Sequence, residues 1–86
     1  MTYSEKLSHK QGIQEGFLLF QPYTPDGKQM GWVKLSYSYI ETEYTFKRTE
    51  IEVYADRPYP WVSDEDIEQS IKDFYYDKTI IDIKIS

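Results

Sequence analysis

The sequence predicts a small α+β fold, an antiparallel β-meander with one α-helix packed on one face. Three observations lead there. Alternating apolar and polar residues recur between positions 17 and 54, the signature of half-buried strands. A Pro25-Asp26-Gly27 turn separates the first two of those runs. After a proline-rich loop comes a single stretch with helical apolar spacing and a capping residue in front of it.

Residues 1–16 are polar, carry Gly12 and Gly16, and hold only Leu7 and Ile13 as aliphatics after Met1. They read as a flexible N-terminal arm, with at most a short strand near Ile13. The first strand spans about 17–23, where Phe17-Leu18-Leu19-Phe20 concentrates apolar surface. Pro22 belongs at its end or on an edge, because proline has no N–H for a ladder. Thr24-Pro25-Asp26-Gly27-Lys28 then reverses the chain, with Pro25 presetting φ and Gly27 taking a left-handed conformation.

The second strand spans about 31–40. Val33, Leu35, Tyr37 and Tyr39 share one face, while Lys34, Ser36 and Ser38 share the other. Glu41-Thr42-Glu43 is the next connection, and a third strand runs over about 44–54. Its apolar phase changes between Phe46 and Ile51, which reads as a bulge near Lys47-Arg48. Pro58 and Pro60 force extended geometry on their neighbours, so residues 56–61 form a loop.

The helix spans about 64–76. Ser63 is its N-cap, Val62 and Ile67 form a hydrophobic staple, and Asp64, Glu65 and Asp66 favour the positive end of the dipole. Ile67, Ile71, Phe74 and Tyr75 make one apolar stripe. A last strand over 79–85 places Ile81, Ile83 and Ile85 on one face, with Asp82 and Lys84 on the other. It joins the sheet either antiparallel or, through a right-handed crossover, parallel.

At 86 residues the chain is a single domain, 1–86, with one modest core. Leu, Ile, Val and Phe account for 20 of the 86 residues, just above the fraction at which chains stay disordered. Nine tyrosines and an aromatic content of 17% favour a folded state. With no cysteine, disulfides, thiolate metal sites and cysteine nucleophiles are excluded. The abundance of Ile, Lys and Tyr beside a single alanine, Ala55, suggests an AT-rich bacterial or phage genome.

The net charge of −5 falls mostly in the second half, where residues 49–86 carry ten acids against four bases. That field repels phosphate backbones and anionic membranes, so direct nucleic-acid or membrane binding is not expected. The opening residues lack the basic and apolar regions of a secretion signal, and no apolar run approaches a membrane span. A cytoplasmic location is the resulting expectation.

Catalytic patterns are sparse. His9, the one histidine, sits in the polar arm without a cysteine anywhere, and no phosphate-binding or zinc motif occurs. Asp64, Glu65, Asp66 and Glu68 wind around the first helical turns and do not face each other across a cleft. No enzyme, cofactor or metal is therefore expected.

The expected function is protein binding, as an inhibitor or adaptor docking on a basic protein surface. The residues expected to carry it are Tyr59 and Trp61, held stiffly by Pro58 and Pro60, together with Asp64, Glu68 and Asp73 on the helix. The alternative is a structural or assembly subunit that forms a homo-oligomer through a sheet edge or an aromatic patch.

Overall fold

A computed structural model describes residues 7–10, 12–45 and 48–86. It shows a mixed, mostly antiparallel open sheet with one helix on one face, the α+β architecture expected. The elements are β1 (Leu7–Lys10), β2 (Gln14–Phe20), β3 (Val33–Tyr44), β4 (Thr49–Ala55), α1 (Asp64–Phe74) and β5 (Thr79–Ile85). Strand β3 is the spine. Both β1 and β2 pair antiparallel with it, β2 opposite Val33–Tyr39 and β1 opposite Thr42–Tyr44. Because β4 pairs with Tyr37–Glu43, β1 and β2 must lie end to end along the other edge of β3. The sheet is thus four columns wide, with β5 closing the far side parallel to β4.

The hairpin between β2 and β3 forms as its turn residues dictate. Gly27 takes φ +86°, its N–H donates to the Thr24 carbonyl at 2.9 Å, and Tyr23 bridges Gln29. The side chain of Thr24 also closes onto Asp26 and onto the backbone of Lys28.

Several boundaries differ from the sequence expectation: β2 ends at Phe20, three residues early, and the strand expected from 44 begins at Thr49. Strand backbone begins at Leu7 in β1 and at Gln14 in β2, so much of the stretch read as an arm is paired to β3. Pairing of main-chain groups needs no apolar side chain, which is why a polar stretch gave no signal. Glu41-Thr42-Glu43 is strand, and the reversal falls after Tyr44, whose N–H donates to the Arg48 carbonyl at 2.9 Å. The apolar phase change before Ile51 is that reversal; of the proposed bulge, Lys47 lies outside the described residues.

The helix ends at Phe74, two residues early, with the N–H of Tyr75 bonded to the Ile71 carbonyl. In β5 the register slips at Ile81, since Ile80 pairs with Ile51 and Asp82 with Glu52. This bulge turns Ile80, Ile83 and Ile85 toward the core and leaves Ile81 49% exposed.

The core lies between α1 and one face of the sheet. Leu35, Ile51, Ile67 and Ile71 are completely buried, joined by Leu18, Phe20, Val53, Ala55 and Val62. Each of the Leu, Ile, Val and Phe side chains among them contributes roughly 1.5–3 kcal/mol. Ser63 caps α1 by accepting from the N–H of Asp66 at 3.2 Å, and the staple residues Val62 and Ile67 are both buried.

One cross-strand row sets the fit beneath the helix end. Gly16, Tyr37, Ala55 and Ile85 are neighbours across β2, β3, β4 and β5. The Tyr37 ring leans over Gly16, where an added Cβ would meet ring atoms at 3.1–3.2 Å. Small residues on both sides give the large ring its room.

Two substitutions test this packing in denaturant titrations. Gly16→Val is expected to cost about 1–3 kcal/mol by overpacking Tyr37. Ser63→Ala is expected to cost about 1 kcal/mol through the lost cap.

Candidate functional site

The residues singled out in the sequence do not form one surface. Tyr59 and Trp61 do come together, with ring centroids 4.8 Å apart and planes within 11°. The stack leaves Trp61 46% exposed, while the neighbouring Val62 seals the core below. Asp64, close in sequence, is engaged by Arg57, whose guanidinium also donates to the Val62 carbonyl. This ion pair braces the loop against the start of α1.

Glu68 and Asp73 lie on opposite flanks of α1. Glu68 and Lys72 border a concavity beside Ile80, Ile81 and Asp82 of β5. Asp73 instead accepts from Gln69 at 2.8 Å and borders a groove beside β2. Five positions separate the two acids, or about 140° around the helix. The shared surface expected for Asp64, Glu68 and Asp73 is therefore divided in two by the helix itself.

The groove beside β2 gathers residues that were not singled out. Strand β2 from Leu18 to Phe20 forms its floor, with the Leu18 and Phe20 side chains turned to the core. Phe74 and Ser70 form its helical wall and Trp32 its far end, with Asp73 as the one charged group. Trp32 is 69% exposed and Phe74 53%, while Leu19 alternates to the opposite face beside Lys34. Phe74, expected in the core stripe, overhangs this groove because α1 ends there. Among the described residues no strand pairs with the outer edge of β2. An edge strand presents half of its N–H and C=O groups outward, ready for another extended chain. A helical stripe and a strand run each point to a core when read alone; only their juxtaposition makes an exposed groove.

Beneath the C-terminal end of α1 sits a tyrosine cluster. The Tyr37 and Tyr75 hydroxyls are 2.6 Å apart, and the Tyr39 hydroxyl donates to Gln14 Oε1 at 3.0 Å. The three rings pack with centroids 5.8–6.2 Å apart. Lys78 pairs with Glu41 and lies 5.6 Å from the centre of the Tyr75 ring. Burial is the main cause that raises the pKa of both Tyr37 and Tyr75 above the ordinary tyrosine value. For Tyr75 the hydroxyl of Tyr37 raises it further. The cluster favours neutral phenols and so acts as packing, with its polar ends paired.

The opposite face of the sheet is open. It carries Phe17, Leu19, Lys34, Ser36, Ser38, Glu52, Tyr54, Asp82 and Lys84, with Lys34 4.6 Å from the centre of the Phe17 ring. Tyr54 donates to Glu52 at 3.1 Å, and this carboxylate contact raises its pKa. Among the described residues, no group of three His, Cys, Asp or Glu side chains is placed to hold a metal, and no helix is long and apolar enough to cross a membrane.

Comparison with protein-family models, curated proteins and solved structures yields no match.

The tyrosine cluster makes a prediction about pH. In the unfolded chain Tyr37 and Tyr75 ionise near 10.0, and in the folded chain only at higher pH. Their contribution is therefore complete below pH 10 and is lost as pH rises above it. Denaturant titrations at increasing alkaline pH are expected to show falling stability, with a shallower fall in Tyr75→Phe.

Proposed function

We propose that this protein is a cytoplasmic, non-enzymatic interaction domain that holds an extended, basic segment of a protein partner along the outer edge of β2. The groove between that edge and Phe74 carries the reading. An extended chain laid against Leu18–Phe20 would complete the backbone hydrogen bonds that an edge strand leaves open. Alternate apolar side chains of the segment would rest on Trp32 and Phe74, which are exposed in the free protein. A lysine or arginine beside them would meet Asp73, the one charge in the groove.

The charge of the whole chain works in the same direction. A net charge of −5 attracts a basic segment at long range and speeds the encounter. This reading keeps Asp73 from the residues expected to bind and sets Asp64 and Glu68 aside. Asp64 is already paired with Arg57, and Glu68 faces β5.

The test uses peptides of alternating valine and lysine, with valine–glutamate peptides of equal length as the control. In a Trp61→Phe variant, Trp32 alone reports the groove. The lysine peptide is expected to shift Trp32 emission to the blue, with affinity falling as salt is added. Asp73→Asn is expected to weaken that binding roughly two- to fivefold, whereas Glu68→Gln leaves it unchanged. Equal binding of the glutamate peptide, or no response to either peptide, overturns the proposal.

A further inference from the structure

The other edge of the sheet has a different character. β5 pairs with β4 on one side, and among the described residues no strand pairs with its other side. Its sequence, Thr79-Ile80-Ile81-Asp82-Ile83-Lys84-Ile85, contains no proline or glycine and four β-branched isoleucines. Natural edge strands are usually blunted by such breakers, by bulges or by several like charges. The one slip in β5, at Ile81, leaves Asp82–Ile85 regular. Here the only charges are one acid and one base, two residues apart on the open face, with Lys84 Nζ 3.9 Å from Asp82 Oδ2.

We infer that β5 pairs antiparallel with β5 of a second copy of this chain, about a two-fold axis passing through Ile83, to make one continuous sheet across a homodimer. Among the registers centred on the middle of the regular stretch, Asp82, Ile83 or Lys84, the charges select this one. A two-fold axis perpendicular to the sheet keeps each face on its own side, so the axis must pass through a residue and not between two. Centred on Asp82, the pairing would set two carboxylates directly opposite each other; centred on Lys84, it would set two ammonium groups opposite. Both arrangements are repulsive. Centred on Ile83, each Asp82 lies opposite the other copy's Lys84, and both pairs are attractive.

The apolar residues agree with that register. Ile83 meets its own counterpart across the axis, an apolar pair at the centre of the regular stretch beyond the Ile81 slip. The helix flank above β5 is self-complementary as well. Glu68 and Lys72 border the β5 concavity in that order, and a two-fold axis reverses the order on the second copy. An isologous contact of this kind uses up the β5 edges and closes at two subunits. It leaves both β2 grooves free, so it stands independently of the peptide-binding proposal.

Sedimentation velocity and light scattering of the full chain, carried up to millimolar concentration, test the pairing. The wild-type protein is expected to dimerise. Asp82→Lys places like charges opposite each other across the axis, and so does Lys84→Asp. Each single variant is expected to weaken dimerisation roughly tenfold or more while keeping a native circular dichroism spectrum. The double variant, with both charges exchanged, is expected to recover it. Mixing the two single variants is expected to give a heterodimer, because each then supplies the charges the other needs.

A wild-type protein that stays monomeric overturns the inference. So do single variants that dimerise as well as wild type, or a double variant that fails to recover.

Discussion

The structure depends on how little sheet one short helix can cover. Helix α1 has eleven residues, so it is about 16 Å long. Strand β3 alone has twelve and runs about 40 Å. Ile67 and Ile71 seat the helix on Leu35, Ile51 and Val53 of the two central strands, and this contact holds the fully buried core. Everything beyond the reach of that contact stays at the surface: the opposite face of the sheet, the far end of β3, and both outer edges. The candidate surfaces follow from this shortage of cover. The β2 groove opens where the helix overhangs one edge, and the β5 edge lies bare where the helix turns its Glu68 and Lys72 side outward.

The tyrosine cluster extends the core past the end of the helix. Beyond Ile71 no aliphatic side chain of α1 reaches the sheet, and Tyr75 fills the space with its hydroxyl paired to Tyr37. That arrangement needs a small residue on each side of Tyr37, and Gly16 and Ala55 supply them. The single alanine of the chain and a glycine inside a strand, each unremarkable alone, are explained by one ring. Because the phenols must remain neutral to stay buried, the same packing limits the fold at alkaline pH.

Much of this was legible from residue patterns. The Pro25-Asp26-Gly27 turn, the Val33–Tyr39 alternation, the Ser63 cap and the Val62–Ile67 staple each carry their own local chemistry, and each forms where that chemistry places it. What was hidden depends on contacts between distant segments. The polar Leu7–Lys10 strand exists because β3 is long enough to pair with it, a fact no local pattern contains. Ile81 alternates correctly with Ile83 in sequence, yet a one-residue slip against Ile51 and Glu52 turns it out. The helix acids expected to bind, Asp64, Glu68 and Asp73, do not share one surface. Once the helix is seated, Asp64 is held by Arg57 and Glu68 and Asp73 face different edges. Of the binding residues named from sequence, Tyr59 and Trp61 do meet, and Asp73 belongs to the groove.

Residue-resolved amide hydrogen exchange on dilute protein tests the central claim most directly, because it reads the helix seat and the bare edges together. The account predicts slow exchange at Ile67–Ile71 and through the paired centre of β3 and β4. It predicts alternating slow and fast amides along β2 and β5, where every second N–H points away from the sheet. Amides of α1 that exchange as fast as a free peptide, or uniform protection along both outer strands, would contradict it.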